Sequence, residues 1–208
     1  MKKVIIVDTG RANFLSIERA VEKYEKNVSI SNEEKEIKLA SKIILPGIGA
    51  FNDSVNYLKK KKIFKVLKEI SKDKPIMGIC LGMQLLFENS NEHGFCEGLD
   101  VIKGTIRPLP IQKIKNCKIP NIGWYNLNLN KDFNYKFPLD LSLDEFYFIH
   151  SFYATEIHTE NLVAYYNFGN IKVPAIVKNG NIMGCQFHPE KSRLPGLNLI
   201  KYFLKNKI

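Results

Sequence analysis

Through residue 90, short apolar runs alternate with amphipathic stretches. Lys2 to Asp8 is a β-rich apolar run ending in Asp8-Thr9-Gly10, a strand followed by a tight turn. Phe14, Ile17, Ala20, Val21 and Tyr24 then recur at helical spacing. Val28 to Ser31 predicts a short strand, Glu33 to Ala40 a short polar helix, and Lys42 to Leu45 a strand running into Pro46-Gly47-Ile48-Gly49. Asn52 to Leu58 and Ile63 to Ile70 have helical patterns on either side of a lysine run, and a buried strand opens behind Pro75. Strands separated by helices predict a parallel sheet with helices on both faces, whose ligand crevice lies at the carboxyl ends of the strands. Asp8 to Asn13, Pro46 to Gly49 and Gly78 to Gly82 are therefore expected to converge.

Beyond Asn89 the pattern changes. His93 to Gly104 is loop-like, and β-prone runs follow at Thr105 to Arg107, Trp124 to Leu129, Glu145 to Ile149, Leu162 to Asn167, Val173 to Lys178 and Ile182 to Phe187. Asn179-Gly180 predicts a hairpin between the last two, and Leu197 to Leu204 predicts a closing helix. The expected fold class is α/β: a mostly parallel central sheet with helices on both faces plus additional antiparallel strands. With 208 residues and no linker or repeat, residues 1–208 are expected to form a single domain.

The stretch Lys74 to Phe87, KPIMGICLGMQLLF, is the chemical centre of this pattern. Its apolar run reads as a strand, and Met83, Leu85, Leu86 and Phe87 read as the first turns of a helix. Between them, Gly78-Ile79-Cys80-Leu81-Gly82 is the cysteine counterpart of a nucleophile elbow, which exposes a side chain at a tight strand-to-helix turn. The helix N-terminus is expected to favour the thiolate, the form that attacks a carbonyl carbon. A buried structural cysteine between two glycines is the alternative.

Composition narrows the class. Hydrophobic residues at 45% and charged residues at 25% are ordinary for a soluble globular protein, and no apolar run approaches the ~20 residues of a membrane span. Asp8 interrupts the N-terminal apolar run too early for a signal peptide. Cys80, Cys96, Cys117 and Cys185 lack C-x-x-C spacing and read as free thiols of a reducing cytoplasm, with no metal or cofactor expected. The net charge of +10 would suit a nucleic-acid binder. Its excess, however, is almost all lysine spread along the chain, and the one dense run, Lys59 to Lys62, reads as a solvated turn, so neither nucleic acid nor membrane is an expected partner.

A thiol nucleophile needs a base and a group to orient it. Of His93, His150, His158 and His188, only His188 begins a His-Pro-Glu at the end of an expected strand, where residues i and i+2 share a side and Glu190 can reach the ring. His93 and His158 sit in polar contexts and read as surface residues. Cys80, His188 and Glu190 thus make a candidate triad. For the oxyanion, the Leu81 N–H at the helix start supplies one donor, and the turn Gly47-Ile48-Gly49 can supply a second through a peptide flip.

Pro46-Gly47-Ile48-Gly49, Gly78 to Gln84 and Gln186-Phe187-His188-Pro189-Glu190-Lys191-Ser192 together resemble the class I, triad-type glutamine amidotransferases. Asp8-Thr9-Gly10-x-Ala12-Asn13, Gly123-Trp124 and Phe148-Ile149-His150-Ser151 narrow the resemblance to the glutaminase subunits of imidazole glycerol phosphate synthase, over essentially the full chain. The resemblance implies a class I amidotransferase fold in which Cys80 attacks the side-chain amide of L-glutamine to form a glutamyl thioester. His188 would be base and then acid, oriented by Glu190, with Gly49 and Leu81 serving the oxyanion. Gln84, Ser151 and Phe152 would hold the glutamine. Ammonia would pass to a β/α-barrel cyclase subunit in a heterodimer, docked near Asn13, Trp124, Tyr147 and Lys191. Two departures stand out. Pro120-Asn121-Ile122-Gly123-Trp124-Tyr125 replaces the usual P-H-M-G-W-N, and the first loop reads D-T-G-x-A-N rather than D-Y-G-x-G-N. Competing readings are a paralogous subunit supplying ammonia for an amidino sugar, a cysteine peptidase, and a non-catalytic basic scaffold.

Overall fold

In the computed structural model, residues 3–110, 118–133 and 144–205 are described. The expected alternation is present as β1 (Val4–Val7), α1 (Phe14–Glu22), β2 (Val28–Ser31), α2 (Glu34–Leu39), β3 (Lys42–Leu45), α3 (Phe51–Lys60), α4 (Ile63–Ile70) and β4 (Ile76–Ile79). A single-turn helix, α5 (Leu81–Gln84), follows at once. The second half contributes β5 (Asn89–Ser90), β6 (Cys96–Glu97), β7 (Thr105–Pro108), β8 (Asn121–Asn126), β9 (Asn128–Leu129), β10 (Glu145–His150), β11 (Phe152–Thr155), β12 (Leu162–Phe168), β13 (Ile171–Asn179), β14 (Ile182–Cys185) and α6 (Arg193–Lys205).

The main sheet has the order β2-β1-β3-β4-β14-β13-β12-β9. Its first five strands are parallel and the last three antiparallel. β1, β3 and β4 are buried throughout, as strands covered on both faces must be. Their side chains divide between two apolar clusters. One packs Ile6, Ile44 and Met77 with Ile17, Val21 and Phe203, and the other packs Ile5, Ile43 and Ile76 with Val55, Leu58 and Leu67. Two smaller sheets, β10-β8 and β11-β7-β5-β6, complete the second half.

The structure differs from the sequence reading at several places. The helix expected to run through Phe87 stops after one turn, because Leu86 and Phe87 donate their N–H groups back three residues and turn the chain away. Trp124 to Leu129 divides into β8 and β9, which belong to different sheets. β5 and β6 are too short and polar to give an alternating signal, and β11, Phe-Tyr-Ala-Thr, follows β10 after a single residue with no turn signal to mark it as a separate strand. Met1, Lys2 and Cys117 lie outside the described residues. Among the described residues no helix is long and apolar enough to cross a membrane.

Candidate active site

β4 and β14 are neighbouring parallel strands with Ile79 opposite Cys185. Cys80 and His188, just past their ends, therefore emerge at the same edge of the sheet. Cys80 adopts φ 53° and ψ −110°, a conformation a side chain occupies only when its surroundings impose it. The flanking glycines permit that turn. A Cβ on Gly78 would lie 2.7 Å from the backbone of Gly82 and Met83, and one on Gly82 would overlap the Leu45 carbonyl at the end of β3. The elbow is thus pressed against the Pro46–Gly49 segment, where Gly49 has φ 95°.

His188 and Glu190 meet by a route different from the extended one expected. β14 ends at Cys185, and Pro189–Lys191 forms a 3-10 turn that brings Glu190 back onto the ring. His188 Nδ1 lies 2.8 Å from Glu190 Oε1, with the Glu190 side chain fully buried. The turn is fastened to β10, since the His188 N–H donates to the Tyr147 carbonyl and Ser192 Oγ donates to the His188 carbonyl. Nδ1 is thereby committed, leaving Nε2 buried without a hydrogen-bond partner and free for Cys80. Burial works against charge on this imidazole, but the Cys80 sulfur and the Glu190 carboxylate outweigh it and push its pKa up to about 10. No hydrogen bond of standard geometry joins Nε2 to Sγ, but Cys80 lies near enough that a hydrogen-bonding interaction with it is the foremost influence raising the imidazole pKa.

A cavity of about 680 Å³ opens over Cys80 and brings together most of the expected residues. Gly49, Leu81, Gln84, Ser151, Phe152 and His188 all line it. Gln84 Nε2 donates to the Phe152 carbonyl and to Gln186 Oε1, each at 3.0 Å, which leaves Gln84 Oε1 as the amide atom available to a ligand. Asn13 and Lys191, expected at a docking face, line the same cavity. Trp124 and Tyr147 do not. They face solvent as a cross-strand pair on β8 and β10, ring centroids 5.5 Å apart, with the Arg193 guanidinium 4.7 Å above the indole. The convergence expected of the three loops is seen in Asn13, Gly49 and Cys80 around one cavity.

Sequence reasoning missed Glu92, which lines the cavity and accepts the Phe51 N–H at 2.7 Å through Oε2. It is a lone carboxylate in an irregular loop, with no motif to mark it. It also left His150 without a role, although this residue lines the cavity between Ile149 and Ser151 while both its ring nitrogens are engaged away from it, by the Phe152 carbonyl and the Tyr166 hydroxyl. His93 and His158 are exposed, as read.

Comparison with known proteins follows this geometry. The class-I glutamine amidotransferase family model matches residues 5–206, and the chain belongs to that family. Solved structures agree in fold: one described as a glutamine amidotransferase aligns with TM-score 0.71 at 15% identity over 97% of both chains. PurLQS from Thermotoga maritima aligns with TM-score 0.69 at 21% identity over 98% of both. Within the family, the chain is 41% identical over 206 residues to the imidazole glycerol phosphate synthase subunit HisH of Lactococcus lactis, covering 99% of each. It is likewise 41% identical over 199 residues to the HisH subunit of Caldanaerobacter subterraneus, covering 95% of each.

Proposed function

We propose that the chain is the glutaminase subunit of an imidazole glycerol phosphate synthase, hydrolysing glutamine through Cys80 and delivering ammonia within a complex. The full-length likeness to HisH subunits carries this reading and favours histidine biosynthesis over the amidino-sugar alternative. The assembled Cys80, His188 and Glu190 weigh against a non-catalytic scaffold.

In the proposed reaction the Cys80 sulfur attacks the carboxamide carbon of glutamine. His188 Nε2, charged at neutral pH, gives its proton to the departing ammonia and then takes one from the water that cleaves the thioester. Glu190 holds the ring in the orientation this exchange requires. Backbone N–H groups of Leu81 and Gly49 receive the developing oxyanion. Gln84, Ser151 and Phe152 hold the substrate, and the Glu92 carboxylate at the cavity wall suits its α-ammonium group.

The partner proposed is a cyclase subunit with a β/α barrel, forming a cytoplasmic heterodimer with this chain acting as one domain. Support comes from a solvent-facing apolar pair on β8 and β10: Ile122 and Ile149 are cross-strand neighbours, 57% and 36% exposed, beside Trp124 and Tyr147. Such an aromatic and aliphatic cluster with flanking cations is the composition of an interface centre. Lys191 belongs to both regions, over the Tyr147 ring and in the cavity lining, so the proposed docking face adjoins the cavity.

The active-site reading is tested by an electrophilic glutamine analogue with peptide mapping. Modification confined to Cys80, suppressed by excess glutamine, is expected. Labelling spread equally over Cys96 and Cys185, or protected by a peptide and not by glutamine, would overturn it.

A further inference from the structure

The polar groups behind the cavity form one directional chain. The Phe152 carbonyl can only accept, and it receives both the Gln84 Nε2 proton at 3.0 Å and the His150 Nδ1 proton at 2.8 Å. His150 Nδ1 is therefore protonated, and its Nε2 accepts the Tyr166 hydroxyl at 2.8 Å. That hydroxyl in turn accepts from Asn121 Nδ2 at 2.9 Å, and Asn121 Oδ1 accepts from the Tyr125 hydroxyl at 2.6 Å. On the cavity side, Gln84 donates to Gln186 Oε1, which turns the Gln186 amide nitrogen toward Cys80 Sγ at 3.8 Å. Asn121 and Tyr125 are two of the positions where the chain departs from the family's P-H-M-G-W-N, and here they bond to each other.

We propose that His150 is a positioning residue of the glutamine site: fixed as the Nδ1–H tautomer by Tyr166 and Asn121, it holds the Phe152 carbonyl and so sets the orientation of the Gln84 side-chain amide. Resting on the glutaminase reading above, this deepens it by adding a residue that touches no substrate. Three features support it. His150 is buried, and its neutral form is favoured by that burial, against the bond to the Phe152 carbonyl, with the nearby His188 charge also lowering the pKa, to about 4. Tyr166 is fully buried, and its hydroxyl is kept protonated by burial, so it remains a donor across the working pH range. The Gln84 amide has one orientation compatible with its neighbours, because a flipped Gln84 would set its oxygen against the Phe152 carbonyl oxygen.

The test uses the full chain with its cyclase. In ring-nitrogen NMR at neutral pH, His150 is expected to show a protonated Nδ1 and an unprotonated Nε2. An Nε2–H tautomer or an imidazolium would overturn the proposal. Tyr166→Phe keeps the buried ring and removes the hydroxyl. It is expected to raise KM for glutamine about tenfold with kcat within about threefold, the loss of roughly one buried hydrogen bond. His150→Asn, which retains a donor at the Nδ1 position but loses the acceptor for Tyr166, is expected to raise KM about as much as Tyr166→Phe, whereas His150→Leu, which loses both bonds, raises it further. Equal KM in all three variants, or kcat and KM effects that track thermal stability alone, would overturn the role. The NMR readout needs no turnover, so a chain lacking glutaminase activity would sink the functional reading while leaving this test decisive.

Discussion

At the scale of single residues, the site depends on how His188 is charged. Cys80 and Glu190 hold the imidazole charged against the cost of burying it. A folded-state pKa raised from 6.5 to about 10 means that the stability from the charged ring is fully present below pH 6.5 and is lost as pH rises through 10. Glu190→Gln removes one of the two groups that raise it while keeping the shape of a fully buried side chain. Its expected effects are a lower His188 pKa by NMR titration and a fall in kcat of about 10²–10⁴-fold, the range for losing the orienting member of such a triad. An unchanged kcat would show that Glu190 only fills space.

At the scale of elements, one turn carries the chemistry. Gly82 sits so close to the Leu45 carbonyl that any side chain there must push β4–α5 away from the end of β3. Gly82→Ala is expected to cost about 3 kcal/mol in denaturant unfolding and to abolish glutamine turnover, because the elbow and the Pro46–Gly49 segment separate. A stable, active Gly82→Ala enzyme would contradict the close packing. This motif was readable from sequence because Gly78 and Gly82 stand where any Cβ would meet neighbouring backbone. The length of α5 was not readable: Leu85, Leu86 and Phe87 are apolar and fully buried whether they continue a helix or leave it. Glu92 was invisible for another reason, since its place at the cavity comes from a loop whose path is set by tertiary contacts such as the Phe51 N–H.

At the scale of the whole molecule, the parallel half was legible because buried strands and amphipathic helices alternate with clear periods. In the second half the longer strands β7, β10, β12, β13 and β14 and the Asn179-Gly180 hairpin were legible too, whereas three strands only two residues long and the partition into three sheets were not, since these depend on pairings distant in sequence. The two proposed roles fall on different sheets: β4 and β14 of the main sheet place Cys80 and His188, while β8 and β10 of the two-stranded sheet present Trp124 and Tyr147, the proposed docking pair, outward. Trp124 is 37% exposed, with the Arg193 guanidinium stacked over its indole. The most direct measurement is glutamine hydrolysis by the purified chain, alone and with a barrel cyclase carrying its ribulosyl ligand, alongside Cys80→Ala and Trp124→Ala. The expected result is turnover stimulated by the loaded cyclase, abolished by Cys80→Ala, and needing roughly 30-fold more cyclase for Trp124→Ala, the ~2 kcal/mol of an interface anchor. Turnover that persists in Cys80→Ala, or a chain inert with and without the loaded cyclase, would contradict it.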